Sequence, residues 1–475
     1  MGWRWAGGRA RRAIPAHRKE RDEWGTRRFA ERNMLSSFHV ESRSEVEVAK
    51  KTWEVFGISN DVLPDSYVDR GALDEQLGEL IARDKVHIAL RGASKCGKSW
   101  LRRKVLDNPI VIQCRLGKGV LDLYVDALSQ LGIEFHTDSK SSKQFKGSVK
   151  ATGDIGFKLL AKVGLEASAD SEFAVDHSKS PVGRNIDDLR YVAEIIKASN
   201  RKLVIEDFHY LSVGERKNFS FDLKAFWDWG LQVVVVGVWS VDNMLLTLNP
   251  DLAGRIEEIT ITWSDSDLEK ILDKGGPVLN ISFEGSFRAR LIASAFGNAG
   301  QLQTLVLRAL DDAKLKETQI SKVTLSSLTL AESAAMEYAE QLNPLYQTFA
   351  QNVANGIRSR KNSTGIYAHA MAVIMKASDE DLIRGLSVDR IFTEASKREP
   401  RILLGNLKSI LTKIESLQID EDGRGMVLSY NPDIGVSVVD RQLLLYRKFA
   451  TVNWPWDTMI AQAETGNLFQ ADDQA

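Results

Sequence analysis

The sequence predicts an α/β fold: a parallel sheet with a glycine-rich loop, then a helical segment, then helices closed by a two-stranded hairpin. Three observations predict it. Short apolar runs alternate with amphipathic helical patterns between residues 72 and 263. The run KVHIALRG leads directly into GASKCGKS, glycines and a lysine at fixed spacing between a strand and a helix. Near the C-terminus, three helical patterns precede two alternating segments, MVLSYN and VSVVDRQLLLYRKF.

A chain of 475 residues divides into two to four domains, and its 43% hydrophobic and 27% charged content is that of a soluble globular protein. Two cysteines, Cys96 and Cys114, exclude a disulfide scaffold and a thiolate metal cluster. Seven histidines form no HExxH pattern, and no window of 18 uncharged apolar residues offers a membrane span. A cytoplasmic protein without membrane contact is expected. Net charge is −1, unevenly distributed. Residues 1–33 carry 10 basic and 4 acidic side chains, leaving 53 basic against 60 acidic, a net of −7. The bulk of the chain therefore has no polyanion-binding balance. Residues 1–45 read as a disordered basic tail or a start-site extension, with Met34 the expected true start.

The α/β core that carries the glycine-rich loop is expected over 46–263. A helix from about Ala72 to Ala82 is followed by an apolar strand at Val86–Leu90, interrupted only by His87. WLRRKVL forms a helix, Ile110–Cys114 a strand and VLDLYVDALSQLG a helix. Residues 134–185 break this rhythm and read as an insertion, a hairpin with a short helix. Order resumes with a helix capped by Asn185, strand Lys202–Asp207, helix FDLKAFWDWG, strand Val233–Val238 and short strand Glu257–Trp263. Repeated strand–helix units of this kind give parallel pairing through right-handed crossovers. A helical lid over 264–324 starts near Ser266 and Asp267. Residues 325–450 form helices, interrupted at Pro344, and the hairpin, the outline of a winged helix. Residues 451–475 read as a tail.

Gly92, Ala93, Ser94, Lys95, Cys96, Gly97, Lys98 and Ser99 fill the GxxxxGK[ST] pattern. The two glycines allow a tight path that turns backbone N–H groups toward phosphate oxygens, and the following helix terminus adds aligned donors. Lys98 reaches β and γ phosphates; the Ser99 hydroxyl suits Mg²⁺. Lys95 assists electrostatically or faces solvent, and Cys96 fills a variable position. Glu206 and Asp207, ending a buried strand, supply metal binding and general-base chemistry. His209 is a coupling residue or a hydrogen-bonded polar one. Beyond the next strand, Ser240 and Asn243 are candidates for contact with γ-phosphate or attacking water, each with turn capping as the alternative. Arg255 offers a guanidinium to a nucleotide in a neighbouring subunit or in its own chain, or pairs with Asp251 or Glu257.

This order of strand, phosphate loop, acidic strand, polar-ended strand, arginine and helical lid resembles the AAA+ superfamily of P-loop NTPases. With the terminal winged helix it is similar to archaeal and eukaryotic origin-recognition initiators, and to signal-transducing STAND ATPases. The resemblance covers about 65–450. It implies ATP and Mg²⁺ as ligands, phosphate contacts by Gly92, Gly97, Lys98 and Ser99, and metal and water roles for Glu206 and Asp207. The acids stand in reversed order relative to the family's Asp–Glu. Tyr67 and Val68, in YVDRG, match the family's adenine-holding segment. Gln301 stands near the place of a γ-phosphate-sensing arginine, which implies a slow, switch-like ATPase.

Two outputs remain open. Residues 387–424 offer DNA contact, with Asn406, Lys408 and Lys413 on the expected recognition helix. Yet Ser387–Gln418 nets only +2, and the expected wing tip carries Asp420, Glu421 and Asp422 around Arg424. The alternative is a STAND-like signalling or defence switch that binds a protein partner. Should Arg255 act across a subunit boundary, an ATP-dependent homo-oligomer is expected; a cis arginine or a surface ion pair gives none.

Overall fold

The computed structural model describes residues 49–137, 147–151, 153–163, 189–239, 241–355, 364–418 and 426–464. The basic tail, Asn185, Ser240 and the wing tip at 419–425 lie outside the described residues. Eleven strands are described: β1 His87–Arg91, β2 Ile110–Gln113, β3 Ile133–Thr137, β4 Gly147–Ala151, β5 Leu203–Glu206, β6 Val233–Gly237, β7 Ile256–Thr260, β8 Ile281–Phe283, β9 Val323–Leu325, β10 Leu428–Asn431 and β11 Gly435–Val438.

Five of these form one sheet in the order β2-β5-β6-β1-β7, with every pairing parallel. Alternation along the strands divides the sheet into two buried faces. Ala89, Leu203, Ile205, Val233 and Val235 join the helices Val120–Ser129, Leu189–Ala198 and Val213–Asp228 in one core. Ile88, Leu90, Val204, Val234 and Val236 face the other way, onto Leu77 and Leu101 from the helices Leu73–Arg83 and Lys98–Val105. The strand order places β6 between the phosphate-loop strand β1 and the acidic strand β5. This is the parallel-sheet arrangement that the resemblance to P-loop NTPases implies. Within 134–185, β3 and β4 pair antiparallel and a helix spans Gly153–Lys162; residues 138–146 and 164–188 lie outside the described ones.

The lid comprises helices Asp265–Val278, Gly285–Ala295 and Ala299–Asp312. Its first helix is capped by Ser264 rather than by Ser266 or Asp267. The Ser264 hydroxyl accepts from the N–H of Asp267, which closes a capping box. The parallel pair β8–β9 had no sequence signal beyond two short apolar runs.

Pro344 does not interrupt the helix it was expected to break. One helix runs Leu328–Asn355 through it. The proline removes the N–H that would bond the Glu340 carbonyl. Both residues lie on the exposed face, where water can serve that carbonyl, while Ala339, Leu342 and Tyr346 bury the opposite face across the break. The expected final strand ends at Val438, and Gln442–Phe449 is helical. Its run of buried Leu443, Leu444, Leu445 and Tyr446 has no period to distinguish strand from helix, and the Asp440 carboxylate, accepting from the N–H of Gln442, starts the helix. The pattern at 400–417 splits into Leu404–Leu411 and Ile414–Gln418. Residues 451–464 are no tail: a helix spans Pro455–Glu464 and Trp456 is fully buried.

Lid and C-terminal helices share one continuous core, from Leu268 and Leu302 through Tyr346 and Ile391 to Leu444 and Trp456. Among the described residues, no helix is long and apolar enough to cross a membrane.

Candidate nucleotide site

The loop from Gly92 to Ser99 leaves β1 and enters the Lys98–Val105 helix. Its glycines are required sterically. A Cβ at Gly92 would meet Cys96 Sγ at 2.6 Å and the Ile261 carbonyl at 2.8 Å, and Gly97 has φ +92°. The Lys98 side chain is buried, and its ammonium donates to the carbonyls of Gly92 (3.0 Å) and Ala93 (2.7 Å). The Cys96 carbonyl accepts from Arg70 (3.1 Å) and from the indole of Trp263 (2.8 Å), and the Arg70 guanidinium lies 4.0 Å over the Trp263 ring.

The loop is also tied to the lid and the C-terminal part. Asn298 donates its side-chain amide to the Ser94 carbonyl (2.6 Å), and the Gly300 N–H donates to the Lys95 carbonyl (3.1 Å). A Cβ at Gly300 would stand 2.7 Å from that oxygen, so only glycine allows the approach. The Lys95 ammonium donates to Gln442 Oε1 at 2.7 Å, which Tyr338 also reaches, and Asp440 accepts from Gln442 Nε2. Burial lowers the Lys95 pKa, an effect opposed by Asp440. Lys95 is thus an exposed residue, as one sequence alternative had it, but its ammonium is engaged by Gln442 rather than free for phosphate. The neighbouring Arg441 donates to the carbonyls of Phe296 and Gly297.

A cavity of about 420 Å³ lies against the loop, within the range of small-molecule sites. Ser94 to Ser99, Tyr67, Val68, Glu206 and Asp207 line it. The sequence reading missed several walls: Gly57–Asn60, Arg70, Arg103, Gln113, Trp263, Ala299, Gly300 and Gln303. Gln303 joins lid to N-terminal segment, accepting from Gly57 N–H (3.0 Å) and donating to Ser66 (2.9 Å).

The two acids have different surroundings. Glu206 is buried and accepts from Arg102 Nε at 2.9 Å. Asp207 follows in the left-handed region (φ 55°) and accepts from the Gln113 amide. Burial, followed by the charge of Glu206, raises its pKa; Lys98 and Gln113 oppose that rise. His209 also lines the cavity. Its Nδ1 accepts from the Val238 N–H (3.3 Å), and burial, then Lys98 and Arg216, press its pKa down to about 3. It is thus a neutral acceptor at physiological pH.

Gly92 and Ala93 are not among the residues lining the cavity, and three further sequence-predicted residues are not brought to it. Asn243 is exposed, and its N–H donates to Glu258 (3.1 Å). Gln301 is fully buried in the lid, donating to the Ser294 carbonyl (2.7 Å), while Asn298, Gly300 and Gln303 of the same turns face the core. Gln301 therefore does not occupy a phosphate-sensing position. Arg255 precedes β7, and its carbonyl accepts from the N–H of His87 at the start of β1. The phosphate loop lies at the other end of β1, about 15 Å away at ~3.3 Å per residue. Arg255 packs its guanidinium 4.6 Å over Trp227 and donates to the Asp251 carbonyl, so it does not serve the nucleotide of its own chain.

The cavity lining suits a nucleotide: Gly97, Lys98 and Ser99 come from the loop, and Tyr67, Val68 and Trp263 add apolar and aromatic surface. Among the described residues, no group of three or more His, Cys, Asp or Glu side chains could hold a metal alone. A divalent cation here would take part of its shell from Ser99 and the acids and the rest from water or ligand oxygens.

No family model and no curated protein matches the sequence. Among solved structures, the chain is similar to the Orc1 protein of Aeropyrum pernix in complex with DNA, at 13% identity and TM-score 0.38, covering 88% of this chain and 100% of that one. It is also similar to a signal transduction ATPase with numerous domains, carrying a tetratricopeptide repeat sensor, from Pyrococcus horikoshii (12%, TM-score 0.35, 87% and 46%). A third is the RuvB Holliday junction branch migration motor of Thermotoga maritima (10%, TM-score 0.33, 81% and 97%). Likeness at this level carries no argument about substrate or partner.

Proposed function

We propose that the chain is an ATP-binding switch of the AAA+ type, a slow Mg²⁺-dependent ATPase whose nucleotide state sets the position of its helical C-terminal half. One observation carries this reading: the phosphate loop is bonded at once to the lid, through Ser94 and Lys95, and to the C-terminal helix, through Lys95 and Gln442. An ammonium held by Gln442 is withdrawn from phosphate, so a triphosphate that recruits Lys95 weakens the C-terminal contact. By linkage, the contact weakens triphosphate binding by the same factor. Tyr67 and Val68 would hold the base, Lys98 the β and γ phosphates, and Ser99 and Asp207 the Mg²⁺, which would supply charge neutralisation for the phosphates. Asp207, fixed by Gln113, would accept the proton of the attacking water.

DNA association is the output favoured by exposure. Asn406, Lys408 and Lys413 are all exposed, whereas Arg390, Lys397 and Arg401 are paired with Asp381, Glu394 and Glu399. Two lysines give a shallow salt dependence, with a log–log slope of roughly −2. A protein partner in place of DNA, as in the STAND-like reading, is supported by the same charge balance. Calorimetry on the full chain tests the nucleotide reading. Mg·ATP should bind more tightly than Mg·AMP, and Lys98→Ala should weaken Mg·ATP by about tenfold or more while sparing AMP. Undiminished Mg·ATP affinity in that variant overturns the role given to Lys98.

A further inference from the structure

Glu206 stands where the family resemblance expects a metal-orienting acid, but its carboxylate is already engaged. Arg102, one turn into the helix that follows the phosphate loop, donates its Nε to Glu206 Oε1 at 2.9 Å. The two side chains are only 6% and 11% exposed. The helix start that presents Lys98 and Ser99 to the cavity is thereby cross-linked to the end of β5. The next residue is treated differently by the fold. Both acids line the same cavity as Ser99, but Asp207 turns through a left-handed backbone and is held by the neutral amide of Gln113 instead of a guanidinium.

We infer that Arg102 withholds Glu206 from the metal: the cation accompanying a triphosphate is held from the protein side by Ser99 and Asp207, and Glu206 is a positioning residue. The physical argument is one of charge. A dication that recruited Glu206 would draw it from Arg102 and leave a buried guanidinium without its counter-charge, a costly change. With the pair intact, Arg102 offsets Glu206, and the acids present the cation with about one negative charge rather than two. The pair's own task is to fix the loop helix against β5, and so the height of Lys98 and Ser99 relative to Asp207. This rests on the nucleotide-switch reading.

The test uses the full chain, ATPγS as the nucleotide and Mn²⁺ as the probe, with free Mn²⁺ read by electron paramagnetic resonance and fold checked by thermal melting. Glu206→Gln keeps a hydrogen-bond acceptor for Arg102. It should retain Mn²⁺ affinity in the ATPγS complex within about threefold, whereas Asp207→Asn should lose about tenfold or more. Arg102→Gln, which frees the Glu206 carboxylate, should tighten Mn²⁺ binding. If Glu206→Gln loses as much Mn²⁺ affinity as Asp207→Asn, with ATPγS affinity in EDTA unchanged, Glu206 is a ligand and the inference is overturned. If Arg102→Gln does not fold, the comparison of the two acid variants still decides. Failure of the wild-type chain to bind ATPγS at all is a different result: it removes the nucleotide reading itself.

Discussion

Burial holds the His87 imidazole at a pKa of about 4 at the start of β1, where Nδ1 accepts from Val233 N–H (3.0 Å) and Nε2 faces the Leu223 carbonyl (2.7 Å). The folded chain therefore resists a proton that the unfolded chain accepts near 6.5. His87 contributes its full stability above that value, and the contribution falls as pH drops from about 6.5 toward 4, by about 3 kcal/mol in all. Asp222, raised to about 6 by burial, works in the opposite sense across part of the window. The difference between wild type and variant isolates the histidine: His87→Gln should be less stable at pH 7 but show a smaller loss between pH 7 and 5, followed by urea unfolding. At the cavity, Asp207→Asn should cut phosphate release by about a hundredfold or more while changing ATP affinity far less. Unchanged turnover would remove Asp207 as the base. The loop residues were legible because phosphate binding imposes glycine and lysine at fixed local spacing. Arg102, Gln113 and Gln442 were not. Gln113 meets Asp207 only because β2 and β5 pair Gln113 with Glu206, and Gln442 reaches Lys95 across 347 positions of sequence.

Elements were legible in proportion to their periodicity. The core strands, buried on both faces, and the strongly amphipathic Leu189–Ala198 helix stand out in sequence, with boundaries shifted by a few residues. Patterns failed where one signal served two structures. The apolar run after Val438 fits a strand or a helix, and only packing of Gln442–Phe449 against the Leu328–Asn355 helix selects one. Pro344 shows the converse: a local breaker overridden by buried contacts on either side of it. That override leaves a measurable residue. Pro344→Ala restores the missing N–H on an exposed face, so the helical half should gain about 1–3 kcal/mol, seen as a higher melting midpoint by calorimetry. A midpoint that does not rise would mean that the proline's conformation is itself required there.

For the molecule as a whole, the position of Arg255 bears on assembly. It lies at the opposite end of β1 from its own phosphate loop, so direct contact between Arg255 and a bound phosphate requires a second copy. ATP should then promote self-association, and Arg255→Ala should retain ATP binding while losing that association and most cooperative turnover. Mixing Arg255→Ala with Asp207→Asn should restore part of the activity, because one interface receives both intact groups. Light scattering with ATP and with ADP, alongside phosphate release, checks this. A wild-type chain that hydrolyses ATP while its mass stays monomeric excludes the mechanism.

The shared core of the lid and C-terminal helices has a thermodynamic corollary. Sheet-side and lid-side blocks belong to one compact unit, Lys50–Ala475, and both wall the cavity, through Cys96 on one side and Val68, Ile271 and Ala299 on the other. A ligand seated there is bound only while the blocks stay docked. Its binding energy enters the junction as RT ln(1 + [L]/Kd), about 2.7 kcal/mol at a hundredfold excess over Kd. Saturation therefore raises the melting midpoint of the whole unit, and the size of that rise reads the ligand's grip on the junction.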